Sequence, residues 1–181
     1  MKRLIPVVLA GLASLIAGAA LAAAPGPEYL DVDSWSAVSQ NDNAARLSVA
    51  TGGAIPHRPD AFVKSKLVVG FAWADLATGK AFATTIHPVI GRDSRQNPDA
   101  WHAHTVTVTG GATPPNDFCL VSIDSTPTAG IQIAGASMTV NVQDWKLPVP
   151  PESFNAAAGF TVESDATCAG TGLAVRLVSN P

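Results

Sequence analysis

The sequence predicts an all-β fold: one antiparallel β-sandwich, or partly open barrel, of about 8–9 strands behind an N-terminal signal-peptide helix. Three observations lead there. Apolar and polar residues alternate over short segments, the period of a half-buried strand. Fourteen prolines and fifteen glycines punctuate the chain, mostly between those segments. Past the N-terminus, no segment sustains the helical apolar period.

Leu47 and Val49 mark an early strand. Leu67, Val69, Phe71 and Trp73 alternate with smaller residues, so one face is apolar. Asp75 to Lys80 contains Gly79 and reads as a hairpin loop, after which Phe82, Thr84 and Ile86 continue the pattern on the return strand. Over residues 102–109, Val106 and Val108 face one way and Thr105, Thr107 and Thr109 the other. Residues 118–123 are apolar at successive positions, as expected of a strand buried on both faces. Ile131 and Ile133, then Met138, Val140 and Val142, flank Ala134-Gly135-Ala136, a tight hairpin. Residues 151–158 read as a turn or two of helix. Phe160 and Val162 give a short strand, and Leu173, Val175 and Leu177 the last.

The N-terminus reads as an export signal. Lys2 and Arg3 precede the uncharged stretch Leu4 to Leu21, and Ala20-Leu21-Ala22 places small residues where a signal peptidase cuts. The expected organisation is a signal peptide at 1–22, an extended segment at 23–45 and a β-sandwich domain at 46–181. The expected location is extracytoplasmic, periplasmic or secreted, with no membrane span after cleavage; the rival is an uncleaved anchor. In such a compartment the two cysteines, Cys119 and Cys168, are expected to form a disulfide. The formal net charge is −3 and the basic residues are scattered, which disfavours nucleic-acid binding.

The residues that suggest chemistry lie around position 100. In Trp101-His102-Ala103-His104, the two histidines share one face of a strand, about 6.5–7 Å apart along the chain. That face also carries Val106 and Val108. If those valines face the core, two imidazoles stand at its edge and need partners, which a zinc or copper ion supplies. His87 closes the preceding strand and lies across the ladder from His102 if the two strands pair. By strict alternation, however, His87 points away from the face that Phe82 and Ile86 mark as core, so its membership requires a bulge. Asp93 or Asp99, in the polar loop between, could complete the ligand set.

The same loop, with Arg92, Arg95, Asn97 and Trp101, suits a second function: a non-catalytic envelope module that binds a glycan or a protein. A purely structural envelope protein is the third expectation. No nucleophile elbow frames Ser94 and no carboxylate pair can be singled out, so no catalytic residue is expected and a non-enzymatic role is favoured. Copper/zinc superoxide dismutases also combine an H-x-H strand, a β-sandwich and a disulfide. That family requires further histidines downstream, and this chain has none after His104, so the family is not assigned.

Overall fold

A computed structural model describes residues 27–41, 43–58, 68–87, 100–110 and 117–178. The signal at 1–22 and its helix lie outside the described residues, as do Arg92, Asp93, Arg95, Asn97 and Asp99.

The protein is all-β. Its described strands are β1 (Val32–Asn41), β2 (Ala44–Thr51), β3 (Val68–Asp75), β4 (Lys80–Ile86), β5 (His102–Gly110), β6 (Asp117–Ser125), β7 (Gly130–Ala134), β8 (Ser137–Gln143), β9 (Ala156–Ser164) and β10 (Leu173–Leu177). They form two antiparallel sheets: an open one in the order β1-β2-β8-β7, and a closed barrel in the order β10-β6-β5-β4-β3-β9. The architecture is thus both of the expected forms at once, a barrel with a sheet packed against its wall.

That arrangement creates two cores. One side chain in two along β3 and β4 points out of the barrel, and Phe71, Trp73, Phe82 and Ile86 meet Leu47, Val49, Met138 and Val140 of the open sheet. Trp73 has no exposed surface, and its indole N–H donates to the Ser48 carbonyl at 3.3 Å, which satisfies its one polar atom. The alternate side chains point into the barrel, where Ala81, Val106 and Leu120 pack with Val108, Leu173 and Val175.

Three cross-strand rows define the barrel interior near β3, β4 and β5. Phe160, Gly70, Thr85 and His102 form one; Ala158, Ala72, Ala83 and His104 the next; Ala156, Ala74, Ala81 and Val106 the third. Small residues dominate β3 and β4 because a six-stranded barrel has little room inside. Gly70 is required there: a Cβ at that position would lie 2.3 Å from the Thr84 carbonyl oxygen and 2.8 Å from the Phe160 ring.

The hairpins follow their turn residues. Gly79 and Gly135 adopt left-handed φ values of 68° and 59° and close the β3–β4 and β7–β8 turns. Cys119 of β6 and Cys168 of the β9–β10 connection form the expected disulfide, across a sequence separation of 49 residues.

Three expectations are corrected. Pro151–Ser153 is a single 3-10 turn, and Ala156, Ala157 and Ala158, all buried, belong to β9. Strand β6 is not buried on both faces: Val121 and Ile123 are exposed. Residues 32–41, read as part of an extended segment, form β1 and pair with β2 along most of its length.

Candidate metal centre

Side-chain direction follows from pairing. Thr85 stands opposite His102, and Ala83 opposite His104, so both histidines share the barrel-interior face with Ala81 and Val106. His87 is one residue past β4. Two positions beyond Thr85, it falls on that same face.

The requirement for a bulge is therefore corrected. Strict alternation does turn His87 away from Phe82 and Ile86, as the sequence reading has it. Those two residues, though, mark the core between barrel and sheet, whereas Val106 marks the barrel interior. The misjudged premise was a single core face. With two, regular backbone brings all three histidines together.

His87, His102 and His104 are each only 5–6% exposed. Each offers one ring nitrogen, and these three atoms lie within 4.8 Å of one another, a group that can hold a metal ion. His87 Nε2 and His102 Nε2 are 2.9 Å apart. Two nitrogens bound tetrahedrally to one zinc would be separated by about 3.3 Å, so the pair needs to open by only a few tenths of an ångström. The ring centroids of His102 and His104 are 4.8 Å apart and those of His87 and His102 4.6 Å, each pair edge-to-face.

Two contacts orient the rings. His102 Nδ1 lies 2.8 Å from the Ala100 carbonyl oxygen. A carbonyl only accepts, so Nδ1 carries the proton and donates it. The Nε2 of a neutral ring then presents its lone pair to the centre. This is the outer-shell arrangement that fixes a ligating histidine's tautomer. His104 Nδ1 is 3.3 Å from the Thr126 hydroxyl, which anchors the second ring beyond the end of β6.

Trp101, at the end of the candidate ligand loop, packs as its size and aromaticity lead one to expect. Its ring stacks on Phe71 with centroids 5.7 Å apart, and its N–H donates to the Pro56 carbonyl at 3.0 Å. A shallow pocket bordered by Trp101, Ala100, His57, Arg58, Ile131 and Ile133 opens on its outer side. Sequence reasoning missed Thr126 and Thr85 altogether. Thr126 carries no local motif. Thr85 was discoverable by register, since it opposes His102 once β4 and β5 are paired.

Comparison of the chain with protein-family models, curated proteins and solved structures found no match.

Proposed function

We propose that this is an extracytoplasmic metal-binding domain, periplasmic or secreted, that holds one zinc or copper ion through His87, His102 and His104. The observation that carries the reading is the convergence of three buried imidazole nitrogens inside a barrel end, with the His102 tautomer set by the Ala100 carbonyl. Burying three imidazoles has a desolvation cost, and coordination offsets it. Neutral imidazole suits zinc and copper, and the thiols are withdrawn from competition by the disulfide. The bonded cysteines also fit an oxidising compartment and the export signal. Capture, delivery or stabilisation of the fold are the roles such a centre serves, and none requires catalysis.

Titration of the purified domain with zinc and with copper tests this directly. The wild-type protein is expected to bind one ion per chain, and His102→Ala/His104→Ala to lose roughly 100-fold or more in affinity, since outer-shell losses alone cost about 10- to 100-fold. Equal, weak binding by the two proteins would sink the proposal.

A second reading, a surface that engages an envelope glycan or protein, is favoured by one observation: Trp145 is 73% exposed, with the Lys146 ammonium 5.3 Å from its ring centre. Trp145→Ala should then abolish retention on a peptidoglycan or polysaccharide column without changing metal content. Unchanged retention removes this reading.

A further inference from the structure

On the metal-binding reading, we propose that the ion keeps a fourth coordination position for a small anion, and that the Thr85 hydroxyl donates a hydrogen bond to that anion.

Three observations converge. Thr85 is 5% exposed and its Oγ1 is fully buried with no hydrogen-bond partner among the described residues. Leaving a buried hydroxyl unsatisfied costs about 1–3 kcal/mol, so such groups ordinarily have a partner. Its position supplies one: Thr85 stands directly opposite His102 on the barrel-interior face, two residues before His87 on the same face of the chain. Opposed residues have Cβ atoms about 5 Å apart, which puts the Thr85 side chain next to that of His102.

Charge gives the class of ligand. The ligand group found among the described residues is three histidines with no carboxylate. Neutral imidazoles leave a divalent ion's full double charge inside a barrel lined by Ala, Val and Leu. A buried charge without compensation is strongly disfavoured, so an anionic fourth ligand is drawn in. Gly70 and Ala83, the neighbours of Thr85 on its row and the next, are both small, and the Phe160 ring packs over Gly70. A three-histidine site with an open fourth position is also the arrangement in which zinc exchanges its ligands.

The test uses the cobalt(II)-loaded domain, with cobalt as a coloured stand-in for zinc, and azide as the anion. Azide should change the visible spectrum of the wild-type cobalt protein with a saturable dissociation constant. Thr85→Val, which keeps the shape and removes the hydroxyl, should bind cobalt equally well and azide roughly three- to tenfold more weakly, the worth of one hydrogen bond. Thr85→Ser should restore the wild-type value. A cobalt protein whose spectrum ignores azide, as it would if Asp93 or Asp99 filled the position, overturns the inference and leaves the metal site standing. Identical azide affinity in wild type and Thr85→Val overturns the role of Thr85. A wild-type domain that binds neither cobalt nor zinc overturns the metal reading itself.

Discussion

A carbonyl oxygen has no proton to give, and that elementary fact orients His102 within the cluster. With Nδ1 committed to Ala100, Nε2 is the atom that faces the other two histidines, 2.9 Å from its counterpart on His87. The His102/His104 pair and its shared face were legible in sequence, because H-x-H in a strand has one geometry. The membership of His87 was not, since it depended on which of two cores each strand face serves. Away from the centre, Asp124 shows a second kind of residue-level control. The Ser122 hydroxyl donates to it at 2.6 Å, and Thr107 and the Lys80 ammonium add contacts at 2.9 and 3.1 Å; together they hold its carboxyl below the ordinary aspartate range. A depressed folded-state value means that the stabilisation exists above the unfolded pKa and is lost as pH falls through the folded one. Asp124→Asn should therefore melt below wild type at pH 7, and the gap should close as the pH is lowered past the aspartate range. A gap that persists in acid would show that the charge is not its source.

At the scale of elements, β3, β4 and β9 carry mostly glycine and alanine where they face the barrel. Gly70 and Phe160 are an opposed pair in which the absent side chain makes room for the ring. Gly70→Ala is expected to cost about 1–3 kcal/mol by overpacking, read from urea denaturation. Gly110→Ala is the control: its added methyl meets nothing within 4 Å among the described residues and should be close to neutral. Equal costs at the two sites would contradict the packing described. Strands whose apolar alternation is strong, such as β3, β4 and β8, were readable from that pattern. Strand β1 was not, because Asp33, Ser34 and Trp35 are exposed along an edge and the strand carries no buried stripe. The alanines of 156–158 resembled a helix because alanine favours one; tertiary packing overrode that preference. The sandwich-or-barrel choice was undecidable from alternation alone, since both architectures bury one face of each strand.

For the molecule as a whole, closure of the barrel joins β10 to both β6 and β9, and the Cys119–Cys168 bond ties β6 to the chain leading into β10. With the cysteines 49 positions apart in sequence, the chain-entropy model assigns the bond about 4 kcal/mol. Reduction, or Cys119→Ala/Cys168→Ala, should lower the unfolding free energy by about 2–5 kcal/mol, and denaturant titration under oxidising and reducing conditions measures it. A loss near zero would mean that the strand pairing alone closes the barrel. The three histidines of the proposed metal centre lie at the start of β5 and just past the end of β4, so the centre depends on the pairing that closes the barrel wall. Its most direct test is X-ray absorption at the metal edge of the zinc-loaded domain. The expected result is one ion per chain with three imidazole nitrogens at about 2.0–2.1 Å. An ion held by fewer imidazoles, or a spectrum that His102→Ala/His104→Ala leaves unchanged, would contradict the assignment of His87, His102 and His104 as its ligands.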